Sequence, residues 1–140
     1  MEIKIKEMIE KNPLALSTTN KEGKPHVIAV TDVKLIDENQ LLIGNNFMKK
    51  TIDNIKNNPN VSLAVWDNKK GSKAEGYGID GIAEYYEKGK FLDMIKKIHQ
   101  GCPARGAIVV NIKKISKIRI ITINHIFYYI DSLCKFSSYF

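Results

Sequence analysis

Two cysteines among 140 residues, Cys102 and Cys134, are too few for a disulfide framework or a cysteine-based zinc site. The three histidines, His26, His99 and His125, show no ligand spacing with one another, so no metal centre is expected. No apolar run reaches the roughly 18 residues of a spanning helix. The first residues, Met1-Glu2-Ile3-Lys4-Ile5-Lys6, alternate charge with isoleucine and lack the apolar core of a secretory signal. These absences point to a cytoplasmic chain with free thiols that does not enter membranes. Repeats and low-complexity linkers are also lacking. Asp67, Asp80 and Glu84 are not spaced as an acid–base pair, and no nucleophile–base pairing is legible, so no side chain is assigned to catalysis.

What is present fits one globular domain: 44% hydrophobic residues, 26% charged residues and a net charge of +7. The charge is uneven. Residues 1–60 carry nine lysines and eight acids, and residues 61–140 carry thirteen Lys/Arg and seven acids. A basic balance suits an anionic ligand. Lysines pair with acids along most of the chain, and no dense basic run is interleaved with aromatics. A nucleic-acid-binding barrel therefore rests on charge alone, and no nucleic-acid partner is expected.

The periodicity predicts a helix over residues 2–11, with Ile5, Met8 and Ile9 on one face and Asn12-Pro13 as its stop. Leu14 to Thr19 reads as a strand, followed by a turn at Asn20-Lys21-Glu22-Gly23 and a second strand from about Pro25 to Ile36. After the turn at Asp37 to Gln40, Leu41 to Asn45 forms a third strand. A short helix is expected from about Thr51 to Asn58, then a strand over Val61 to Trp66. Asn68 to Gly78 is a polar, glycine-rich loop candidate, and Tyr77 to Tyr86 the next strand. Glu87 to Gln100 predicts a helix with Phe91, Met94, Ile95 and Ile98 as its apolar stripe and Gly101 as its cap. Gly106 to Ile112 reads as a buried strand, and Ile118 to Ile123 as a further one.

The expected architecture is mainly β with peripheral α: six or seven antiparallel strands with two or three helices. Successive hairpins do not match the alternating pattern of a parallel sheet. A closed or nearly closed barrel removes the exposed edges.

Phe47-Met48-Lys49-Lys50-Thr51 opens the short helix. A helix N-terminus carries about half a unit of positive charge, so two lysines there have the wrong sign unless an anion sits between them. Backbone amides, a threonine hydroxyl and two ammonium groups together suit a phosphate. The alternative is that both lysines are simply solvated, at a local cost of a few tenths of a kcal/mol.

With the strands before it and the Asn57-Asn58-Pro59-Asn60-Val61 segment after it, this stretch resembles the pyridoxamine-phosphate-oxidase-like, flavin-binding split barrels. Gly23-Lys24-Pro25-His26-Val27 and the Val65-Trp66 strand end fall at the same spacing. Within that superfamily the chain is most similar to the small proteins that bind flavin mononucleotide (FMN). It matches them at Met48-Lys49-Lys50-Thr51 and more weakly at Ala104-Arg105-Gly106-Ala107. The resemblance covers about residues 8–118.

It implies a homodimeric split barrel over residues 1–119 that holds FMN non-covalently at the dimer interface and passes electrons or hydride to an unidentified acceptor. It maps ring contacts onto the backbone of Ile28, Ala29, Val30 and Thr31, with Ile43 and Gly44 from the third strand. It maps the phosphate onto Lys49, Lys50 and Thr51. Gly44 suits the close approach of a flat ring to a backbone without Cβ, or is a plain strand-end glycine. His26 is placed at the flavin edge or at the surface, and His99 in a structural role.

Two departures from the oxidases proper are visible. An Arg-rich C-terminal substrate motif is replaced by an aromatic stretch, and the arginine that the oxidases carry in the second strand is missing here, near Ile28. Oxidation of a B6 vitamer is therefore not implied. Rival readings are a flavin carrier without turnover, or the same barrel binding a deazaflavin or pyridoxal phosphate. Residues 120–140 form a separate extension holding Phe127, Tyr128, Tyr129, Phe136, Tyr139 and Phe140, expected to pack on the body or on a second subunit.

Overall fold

A computed structural model describes residues 1–67, 69, 74–101 and 103–118. Cys102, the extension from residue 120 onwards, with His125 and Cys134, and the expected strand beyond Ile118 therefore lie outside the described residues.

The described residues form three helices and seven strands, in the order α1 (Ile3–Lys11), β1 (Leu14–Thr19), β2 (Pro25–Val30), β3 (Lys34–Asp37), β4 (Gln40–Asn45), α2 (Lys49–Asn57), β5 (Asn60–Trp66), β6 (Gly76–Tyr86), α3 (Lys90–Ile98) and β7 (Gly106–Ile118). All strands belong to one sheet in the order β2-β1-β5-β6-β7-β4-β3. Every pairing is antiparallel.

The sheet is curled. Its two outermost strands, β2 and β3, are joined by Thr31-Asp32-Val33 alone. So short a link spans at most about 14 Å between Val30 and Lys34, so the two edges must lie close together without pairing. α1 reaches from β5 to β3 across the same curl. Ile5, Met8 and Ile9 of α1 join Leu16, Val33, Leu41, Ile43, Leu63, Ile79, Ile108 and Val110 in the main core. An antiparallel barrel split between β2 and β3 is the result.

Four sequence expectations change. The strand expected over Gly106 to Ile112 runs on to Ile118, because Lys114 to Ile118 continue to pair with Gly76 to Asp80 of β6. The single strand over Pro25 to Ile36 is two strands, because Asp32 takes φ 56°, a left-handed conformation that a continuous strand does not hold. The helix expected from Glu87 begins only at Lys90, since Gly89, at φ 88°, breaks the chain direction before it. Its buried residues are Leu92 and Ile95, while Ile98 is 40% exposed. α3 is therefore turned by about one residue from the expected stripe. It packs on the small patch formed by Leu42, Ala107 and Val109, with Phe91 and Met94 at the margin.

α2 is fixed by Ile52 and Ile55, which are buried in the main core, and by asparagines. Asn54 is buried and donates its Nδ2 to Thr18 Oγ1 at 3.0 Å. Asn58 donates to Thr19 Oγ1 at 2.8 Å. Both threonines belong to β1, so the C-terminal half of the helix is tied to the barrel wall by side-chain hydrogen bonds.

Candidate functional site

α2 begins next to the split edge. Asn45, the last residue of β4, is buried and acts in three directions. Its Oδ1 accepts the Met48 N–H at 2.9 Å, its Nδ2 donates to the Tyr85 hydroxyl at 2.9 Å, and its carbonyl accepts the Arg105 N–H at 2.9 Å. The Tyr85 ring lies over Gly106 so closely that a Cβ there would stand 2.2 Å from the hydroxyl oxygen. Glycine at 106 makes room for the tyrosine, the tyrosine holds Asn45, and Asn45 sets where α2 starts.

Lys49, Lys50 and Thr51 are then the first three helical residues. No acidic residue lies in this first turn, and Met48 supplies no side-chain cap. Both lysines are exposed, whereas Thr51 is 1% exposed. Its Oγ1 is buried with no hydrogen-bond partner among the described residues. A buried, unpaired hydroxyl costs about 1–3 kcal/mol, which a ligand oxygen at this spot would relieve.

These residues face a cavity of about 550 Å³, within the usual range for cofactor sites. Ile28, Ala29, Val30, Thr31, Gly44, Lys49, Lys50 and Thr51 all line it. Among the described residues, β2 pairs only with β1. Half of its backbone N–H and C=O groups therefore point away from the sheet, free to bond a ligand's polar edge.

Some expected residues sit differently. Thr31 lies in the link after β2 rather than in the strand. Ile43 does not line the cavity; its side chain is 1% exposed within the barrel core. Gly44 lines the wall, but a Cβ there would meet Ile95 Cγ2 at 3.2 Å. The position thus admits α3, and a ring's approach is not needed to explain the glycine.

The structure also brings in Asp32, Asn46, Ile95 and His99. Asp32 could have been suspected as the one acid in a β-prone run. His99, read from sequence as structural, is half-buried on the cavity wall one turn after Ile95. Among the described residues, no group of three or more His, Cys, Asp or Glu is placed to hold a metal, and no helix is long and apolar enough to cross a membrane.

Comparison with known proteins places this geometry. An uncharacterized protein of Methanocaldococcus jannaschii is 31% identical over 117 residues, covering 79% of this chain and 76% of that protein. The solved structure of HupZ from Group A Streptococcus has a TM-score of 0.78 at 21% identity, covering 84% of this chain and 94% of that one. An FMN-binding protein from Syntrophomonas wolfei subsp. wolfei has a TM-score of 0.72 at 17% identity, covering 84% of this chain and 85% of that one. The two structures are alike in fold. The sequence model of the pyridoxamine 5'-phosphate oxidase family matches residues 1–119, and the chain belongs to that family.

Proposed function

We propose that the chain binds FMN non-covalently in this cavity, as a homodimer, and serves as a flavin-dependent oxidoreductase in the cytoplasm. The observation that carries the reading is the buried, unpartnered Thr51 hydroxyl next to Lys49 and Lys50 at the start of α2, on the same cavity as the free backbone edge of β2.

The two halves of that cavity divide the work. At the α2 end, Thr51 Oγ1 and the first backbone N–H groups of the helix offer neutral donors to a phosphate, and the Lys49 and Lys50 ammonium groups balance its charge. At the β2 end, the outward N–H and C=O groups of Ile28 to Val30 complement the donor–acceptor edge of the flavin's pyrimidine ring. Ile95, Ile28 and Ala29 supply an apolar wall that keeps water off the ring. When bound, FMN supplies the electron or hydride chemistry itself. The protein therefore needs no nucleophile or acid–base pair of its own.

A homodimer is supported by the edge position of β2 and by its outward Val27, which is 59% exposed. An apolar edge strand of this kind is normally covered. An isologous interface would give two equivalent flavin sites.

The experiment is a fluorescence titration of the apoprotein with FMN and with riboflavin, alongside sedimentation. The expected result is FMN binding at least about tenfold tighter than riboflavin, by a dimer. Equal affinity for the two ligands would remove the phosphate site from the reading. A protein that instead retains a deazaflavin or pyridoxal phosphate, told from FMN by the absorption spectrum and mass of the extracted ligand, would replace the ligand. Failure to oxidise NADH or NADPH with acceptor dyes would leave a carrier.

A further inference from the structure

A second cavity of about 420 Å³ adjoins the first. The two share Asn46, Phe47, Met48 and Lys49, so they meet where α2 begins, at the end away from the β2 residues. Two aromatics line it, Tyr85 and Phe47, and Phe47 is 82% exposed although it is a large apolar side chain. The Arg105 guanidinium lies 5.3 Å from the centre of that ring. Among the described residues no carboxylate pairs with Arg105. The cavity's two acids differ in their state: Glu87 is engaged by Lys56 at 3.4 Å, and Asp53 is exposed to solvent on α2.

An exposed ring carrying an unpaired guanidinium offers two things at once. The ring is a stacking surface for a flat heterocycle, and the cation is a partner for a phosphate. The position decides which ligand brings both. A nicotinamide donor must reach the flavin ring, which in the reading above lies against β2, at the opposite end. A group attached beyond the flavin phosphate would pass Lys49 and arrive beside Phe47 and Arg105.

We infer that the second cavity is an adenylate subsite, so that the chain accepts flavin adenine dinucleotide (FAD) as well as FMN, with the adenine on Phe47 and the second phosphate on Arg105. This rests on the FMN reading of the first cavity.

The test uses the full chain and three ligands: riboflavin, FMN and FAD. The expected result is FAD affinity equal to or greater than that for FMN. Arg105→Ala should weaken FAD about tenfold and leave FMN unchanged, because Arg105 does not line the first cavity. Phe47→Ala should likewise lower the ratio of FAD to FMN affinity. Both side chains are exposed, so the variants are expected to fold. If FMN binds and FAD binds far more weakly, or if Arg105→Ala weakens both equally, the subsite is overturned and the FMN site stands. If neither flavin binds, both readings fall.

Discussion

The two ends of α2 are built on opposite rules. At the C-terminal end every polar side chain has work inside the protein. Asn54 and Asn58 bond Thr18 and Thr19, Asn57 donates to the Asp53 carbonyl at 2.7 Å, and Asn58 Oδ1 accepts from the Asn60 backbone. At the N-terminal end the helix has no side-chain cap, no acid in its first turn, two exposed lysines and a buried hydroxyl without a partner. One end is satisfied by the fold, and the other is left to be satisfied from outside. On the proposed reading, the helix serves stability at one end and ligand recognition at the other.

The sharpest way to break that division is at the satisfied end. Asn54→Ala leaves Thr18 Oγ1 buried without its donor. Stability should fall by about 1–3 kcal/mol, read from denaturant unfolding. The FMN-to-riboflavin affinity ratio should stay at its parent value, because the helix start is held independently through Asn45. A changed ratio would mean that the two ends are not separable.

The smallest effect is expected far from α2. Glu75 receives a hydrogen bond from Lys4, and Lys117 lies 3.5 Å away, which together hold its carboxyl below the ordinary value of 4.5 against the opposing pull of desolvation. A lowered value in the folded state means that the unfolded chain binds the proton more readily. The contribution is therefore whole above pH 4.5 and is lost as the pH falls through the lowered folded value. Both lysines are exposed and Glu75 is half-buried, so salt should weaken the effect in part. Melting curves recorded from about pH 5 down to about pH 3 should show a steeper loss for the parent than for Glu75→Gln.

Much of this was legible in the chain. Turn residues and alternating apolar positions located most strand starts within a residue or two, although β7 runs on to Ile118, past its expected end at Ile112, and the barrel follows from antiparallel hairpins whose edges closure covers. The exceptions have local causes. Thr31 and Val33 favour a strand, and the one hint that Asp32 breaks it at φ 56° is that aspartate disfavours strands and tolerates left-handed backbone. Gly44 looked like room for a ring because the sequence does not reveal that Ile95, fifty-one positions later, packs against it. The stripe on α3 was rotated because a patch as small as Leu42, Ala107 and Val109 accepts only part of an amphipathic face.

The lining of the cavity was legible in part. Lys49, Lys50 and Thr51 stood out by their wrong-signed charge at a helix start. Asn45 and Tyr85, which fix that start, are forty residues apart and could be joined only by the fold.

The central claim is that the open end of α2 holds a phosphate, and Lys50→Ala tests it most directly. Removing one charge-assisted contact worth roughly 1.5–3 kcal/mol should weaken FMN binding by about one to two orders of magnitude. Riboflavin carries the same ring without the phosphate, so its affinity should not change, and Lys56→Ala, further along the same helix, should leave both ligands alone. If Lys50→Ala binds FMN as tightly as the parent does, or loses FMN and riboflavin in equal measure, the phosphate is not held at this helix start.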